Sequence, residues 1–324
     1  MSWSQRYLAA DMSTWKGRGD APPDSAVFQR IQGLDLRQIA KSPMEPGFAV
    51  LGFRCDEGVR RNLGRTGAVE GPQAIRKVFA PLPLHKKEIQ LWDAGDIVCT
   101  DGDLEASQEA LAAAIARLHQ AKLTPLVLGG GHEVAYAHYL GLDRSFPNQE
   151  IHITNIDAHL DMRPLLPGHK GSSGTPFLQI ANHRTQQNRA FAYTCLGVQK
   201  TGNSAALLAT ARAHGSTIIF AEELEGALDP GLHQQLTELP KQSSLHYLTL
   251  CLDAFAAAYA PGVSAPQACG IRPWVVIPWL RTWAASGRFR SYDIAELNPS
   301  LDCDQRTAKL AAHWLFEIIH HHTH

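Results

Sequence analysis

The chain has 324 residues, with 30 Lys+Arg against 31 Asp+Glu for a net charge of −1, and 16 His counted as neutral. Hydrophobic residues make up 44% and charged residues 19%. The chain can therefore bury a sizeable core and is not disordered, and it has no basic excess with which to bind a nucleic acid.

The first 45 residues are mixed and turn-rich, and read as a covering arm with a short helix. Phe48 to Phe53 is an apolar run fit for a buried strand. Asp103 to Lys122 is alanine-rich with helical spacing, and its leading aspartates suit the helix dipole. Pro125 to Leu128 is strand-like and runs into three glycines. Glu133 to Leu142 is helical, and Glu150 to Ile156 is a β-branched strand. Further strands are expected at Phe191–Val198, Thr217–Phe220 and His246–Leu252, with helices at Ser204–His214 and Pro230–Leu239. Trp274, Trp279 and Trp283 stand near prolines on another helix and suit core or subunit packing. Phe289–Ile294 and the helix Asp304–His320 close the order, with His313 and His320 to His324 read as surface.

Strands alternating with helices imply an α/β fold, a three-layer α/β/α arrangement around a mostly parallel sheet. Neither a repeat nor a linker divides the chain, so a single domain over 1–324 is expected. Six scattered cysteines without a CxxC pair suit a reducing cytoplasm. No run of about 18 apolar residues suggests a membrane span.

In such sheets ligands bind beyond the carboxyl ends of the strands, and three of those ends are polar. Gly129-Gly130-Gly131 lets the backbone turn tightly and would set His132 at the mouth; alone, it reads as well as a plain turn. Asp157, His159 and Asp161 alternate, so they share a face if the strand continues through them; the rival reading is a solvated turn with capping aspartates. Cys251 and Asp253 would likewise share a face, although Cys alone is often a small buried hydrophobe. Carboxylates and imidazoles gathered on one face repel or desolvate one another unless a cation joins them. An oxygen-rich set with few imidazoles favours manganese or a similar dication over zinc.

At these residues the chain resembles the ureohydrolases: arginase, agmatinase and formimidoylglutamase. Leu128-Gly-Gly-Gly-His132, Ile156-Asp-Ala-His-Leu-Asp161, Thr249-Leu-Cys-Leu-Asp253 with Ala260-Pro-Gly262, and Glu296-Leu-Asn-Pro-Ser300 stand in the family's order. Asp56-Glu-Gly-Val-Arg-Arg-Asn62, Asp161-Met-Arg-Pro164 and Ser172-Ser-Gly-Thr-Pro-Phe177 are most similar to the formimidoylglutamase branch. Arginases carry a histidine immediately before the glycine of that last motif, where this chain has Ser173. The resemblance implies an arginase-like fold and two Mn2+ ions per subunit. His132 and Asp161 would serve one ion, His159 and Asp253 the other, with Asp157 bridging. The family usually has a second bridging aspartate where this chain has Cys251. Three readings follow: the thiolate bridges, it stays outside and leaves one ion weakly held, or the site has lost activity.

The implied reaction is hydrolysis of N-formimidoyl-L-glutamate to L-glutamate and formamide in histidine degradation, by metal-activated hydroxide. Glu296 would hold the amidinium and Asp161 would pass a proton to the leaving nitrogen. The substrate carboxylates would fall to Arg163, Arg61 and Asn62, with Ser172, Ser173 and Gly174 as further donors. The rivals are a ureohydrolase for another amidine or guanidine, and a silent metal-binding homologue. A small-molecule enzyme of the cytoplasm, commonly homo-oligomeric, is the expected setting, with neither nucleic acid nor membrane as partner.

Overall fold

The computed structural model describes residues 3–39, 44–226 and 229–324. Its strands are β1 (Tyr7–Leu8), β2 (Gln32–Gly33), β3 (Gly47–Arg54), β4 (Leu91–Val98), β5 (Leu123–Leu128), β6 (Ile151–Ile156), β7 (Ala192–Val198), β8 (Thr217–Phe220), β9 (Leu245–Cys251) and β10 (Phe289–Ala295). They form one sheet in the order β1-β4-β3-β5-β10-β9-β6-β7-β8, with β2 also on β4. Every pairing is parallel except β1 with β4. The central strands are buried along their whole length, as near-continuous apolar runs require when helices cover both faces.

One helical layer contains Gly71–Phe79, Pro273–Ala285 and Arg306–His321, which pack on one another. The opposite layer contains Leu104–Gln120, Val134–Ser145 and Pro176–Gln186. The expected three-layer α/β/α fold is therefore present. Among the described residues no helix is long and apolar enough to cross a membrane.

Four features differ from expectation. The arm does more than cover, because β1 and β2 both pair with β4. Strand β4 itself was not expected, since Asp93, Gly95 and Asp96 interrupt its apolar pattern. Both carboxylates are buried against one guanidinium: Arg76 reaches Asp93 at 2.9 Å and Asp96 at 2.6 Å. Paired in this way, the charges are tolerated inside a sheet. The last helix starts at Arg306 because Asp304 and Gln305 adopt φ of 53° and 56°, while the Asp302 carboxylate accepts from the N–H groups of Thr307 and Ala308. His320 and His322, expected at the surface, are 6% and 9% exposed. The ring of His322 meets the Tyr292 hydroxyl at 2.9 Å. Of the three tryptophans, Trp279 and Trp283 are buried and Trp274 is exposed.

The order β5-β10-β9-β6 puts four strand ends side by side. These are the ends that lead into His132, Glu296, Asp253 and Asp157.

Candidate metal centre

The glycine turn after β5 is wedged between two neighbouring strand ends. A Cβ on Gly130 would come within 1.7 Å of the Cys55 carbonyl oxygen, so no side chain fits there. Gly129 N donates to Ile294 O at 2.8 Å and Glu296 N donates to Gly130 O at 2.8 Å. The turn and the end of β10 are thereby tied together, and Oε1 of Glu296 accepts from the N–H of His132 at 2.8 Å. Glu296 has φ +73° and Asp161 φ +45°. Such non-glycine left-handed backbone persists only where the surroundings impose it.

The His132 ring is held from behind. Nε2 lies 2.9 Å from the Thr249 hydroxyl, and that hydroxyl donates its own proton to Oδ1 of Asp293 at 2.6 Å. Thr249 must therefore accept from His132, which keeps a ring proton on Nε2 and leaves Nδ1 as the nitrogen that faces the site. Oδ2 of Asp293 meets Nδ1 of His138 at 2.7 Å and accepts from the Tyr247 hydroxyl. All of these groups are buried.

Nδ1 of His132 lies 2.9 Å from Oδ2 of Asp157 and 3.0 Å from Oδ2 of Asp161. It nevertheless makes no hydrogen bond, and Oδ1 of Asp253 also has none. Across the site, Nδ1 of His159 lies 3.1 Å from Asp253 and 3.6 Å from Oδ1 of Asp157. Asp157 thus faces both histidines with different oxygens. Donor atoms fall into two groups that share it, His132/Asp157/Cys251 and Asp157/His159/Asp253, each within 4.8 Å.

The electrostatics call for positive charge. Burial pushes both imidazoles down, but the carboxylates override it: Asp157 and Asp161 hold His132 well above its ordinary value, and Asp253 and Asp157 push His159 up to about 12. Burial and then Asp157 raise Asp161 to about 6. Burial opposes ionisation of Asp157, yet His132 and His159 hold it far below the usual carboxylate range. Burial, Glu133 and Asp253 drive Glu296 well up. Dications between these groups would do what the extra protons do. The donors present therefore fit a metal pair.

The alternation expected for Asp157, His159 and Asp161 does not exist. β6 ends at Ile156 and β9 at Cys251, so Asp157–Asp161 forms a turn and Asp253 sits in the 3₁₀ turn Leu252–Ala254. A side-chain amide clamps the first turn: Asn203 accepts from Leu160 N at 3.0 Å and donates to Ala158 O at 2.9 Å. The turn sends Asp161 to His132 and His159 to Asp253.

A cavity of about 270 Å³ opens over these groups. Asn62, Arg163 and Ser173 line it with His132, His159, Asp161, Cys251, Asp253 and Glu296. Arg163 is exposed, and no carboxylate among the described residues pairs with it. Arg61, Ser172 and Gly174 do not line the cavity. The Arg61 guanidinium is committed to Glu57 at 2.9 Å and Glu105 at 2.6 Å, and also donates to Gly171 O. The Ser172 hydroxyl accepts from Gly174 N at 3.3 Å. Gly174 leaves room for its neighbours, because a Cβ there would come within 2.8 Å of Arg163.

Sequence reasoning missed Thr249, Asp293, Asn203 and Glu133. Asp293 carried a signal, an acid in the middle of an apolar strand, and Thr249 shares the strand face of Cys251. Asn203 carried none. Glu133 is fully buried, and burial pushes its carboxyl up to about 8.

Residues 46–321 match the family model described as the arginase family. The formimidoylglutamase of Geobacillus thermodenitrificans is 42% identical over 97% of this chain and 97% of its own length. The solved formimidoylglutamase of Bacillus subtilis superposes with a TM-score of 0.79 at 21% identity, covering 94% of each chain. The Trypanosoma cruzi formiminoglutamase solved with Mn2+ gives 0.75 at 24% identity, over 88% of this chain and 97% of that one. The chain belongs to the arginase family, and the resemblance to its formimidoylglutamase branch holds over nearly the whole length.

Proposed function

We propose that this arginase-family enzyme hydrolyses N-formimidoyl-L-glutamate to L-glutamate and formamide, a step of histidine degradation, with two Mn2+ ions per subunit. The observation that carries the reading is the division of charge within one cavity. Acids crowd its floor, and an arginine without an acidic partner stands at its mouth. The substrate is built the same way, with a cationic amidinium at one end and two carboxylates at the other.

His132, Asp157, Asp161, His159 and Asp253 would hold the ions. Bound there, they supply Lewis acidity that makes water nucleophilic near neutral pH. Glu296 receives the amidinium through a charge-assisted hydrogen bond. Its free carboxylate is disfavoured by burial, and the cation restores it. Asp161, beside the nitrogen that leaves with glutamate, passes it a proton. Arg163 takes a substrate carboxylate, and Asn62 and Ser173 add neutral donors beside it. This reading goes with a cytoplasmic enzyme acting on a small molecule.

The test strips the protein with chelator, restores Mn2+ in steps and follows formamide release. Release that rises with Mn2+ to a plateau is expected. A folded protein with fresh substrate that releases none at saturating Mn2+ overturns the reading.

A further inference from the structure

Cys251 stands where the ureohydrolase pattern has an aspartate. It closes β9, is 1% exposed and lines the cavity. Its sulfur belongs to the donor group of His132 and Asp157. The neighbouring Nδ1 of His132, on a side chain only 1% exposed, has no hydrogen-bond partner. The other group, Asp157/His159/Asp253, contains oxygen and imidazole only.

We propose that Cys251 binds as a thiolate to the ion on the His132 side, and that it shifts the selectivity of this position toward softer dications such as Co2+ or Zn2+, relative to the position on the His159 side. The inference rests on the two-ion reading above. A carboxylate offers two hard oxygens and can serve two ions at once. A cysteine offers one soft atom, which raises affinity for later transition metals more than for manganese. The thiol proton leaves to solvent as the ion binds. The His159 side keeps a harder donor set suited to Mn2+, so the two positions differ in selectivity although they share Asp157.

Metal-free protein is titrated with Co2+ and followed by absorption. A thiolate-to-cobalt charge-transfer band in the near ultraviolet is expected. It should vanish in Cys251→Ser and persist in Cys195→Ser, which controls for a buried thiol 3.5 Å from the His159 carbonyl. Cys251→Asp should move the Mn2+/Co2+ affinity ratio toward Mn2+. Visible cobalt bands without the near-ultraviolet band, or a band that survives in Cys251→Ser, overturn the inference. If the variants do not fold, X-ray absorption on zinc-loaded wild type decides. A sulfur neighbour at about 2.3 Å supports it, and a shell of oxygen and nitrogen alone overturns it. Formamide release on the same samples separates the two readings. The cobalt band in a protein that releases no formamide when restored with saturating Mn2+ supports the thiolate and sinks the substrate assignment. Turnover without the band sinks the thiolate.

Discussion

The two histidines of the site are held in opposite ways. His132 is 1% exposed at its side chain and backed by Thr249, Asp293, His138 and Tyr247, a chain of buried groups reaching deep into the sheet. His159 is 23% exposed and stands on a turn clamped by Asn203. On the core side, buried hydrogen bonds fix the aim of the His132 ring and keep its Nε2 proton toward Thr249. On the turn side, a few backbone hydrogen bonds set the aim, and the same turn continues into Asp161 and Arg163. Under the proposed function, the core side would serve the metal and the turn side would bring metal and substrate together.

The sharpest way to break this contrast is to cut each support. Thr249→Val removes the acceptor for the His132 ring while keeping its shape. Metal affinity on the His132 side should fall about 10- to 100-fold, the usual cost of losing such a partner, and Thr249→Ser should restore it. Asn203→Ala should loosen the turn with a smaller loss of affinity. Calorimetric Mn2+ titration of the three variants is the measurement. Equal losses from Thr249→Val and Asn203→Ala would erase the distinction.

A smaller effect is expected at the end of the turn. Arg163→Ala should raise KM for N-formimidoyl-L-glutamate about tenfold or more, in line with the roughly 1.5–3 kcal/mol of a hydrogen bond to a charged group, with kcat little changed. Metal titration of this variant should match wild type. A fall in kcat with unchanged KM would mean that Arg163 acts on the reacting centre instead.

A last effect, on stability rather than binding, belongs to the core side. The Glu133 carboxyl is raised from 4.5 to about 8, chiefly by burial. Between those values the folded chain keeps a proton that the unfolded chain has lost. Its contribution is therefore complete below about pH 4.5 and drains away as pH rises through about 8. Glu133→Gln lacks that slope. Denaturant unfolding across this window should show wild type losing stability relative to the variant by at most about 1.4 kcal/mol per pH unit. Parallel curves would mean that Glu133 is ionised in the fold.

Much of this was legible in the sequence, for a physical reason. Apolar runs at strand length, alternating with helical spacing, leave a covered parallel sheet as the natural way to bury both faces. Polar residues at strand ends then mark where a ligand binds. His132, Asp157, His159, Asp161 and Asp253 were singled out in that way and Glu296 by the family resemblance, and folding gathers them around one group of strand ends. Strand β4 was not, because its aspartates look solvated until Arg76, 17 and 20 residues away, is seen beside them.

Sequence by itself determined the fold class, the family and the set of chemical groups at the strand ends. Only the tertiary structure decided which groups face one another. Alternation assigns faces within a strand, but the chain leaves the strand at Ile156 and at Cys251, and there a turn sets direction. Arg61 and Arg163 are equally good carboxylate binders in a sequence; folding spends one on Glu57 and Glu105 and leaves the other unpaired at the mouth. His132 and Thr249 are 117 positions apart, and Thr249 and Asp293 a further 44. They meet because β5, β10 and β9 lie side by side, an order that depends on long-range pairing and that no local pattern encodes.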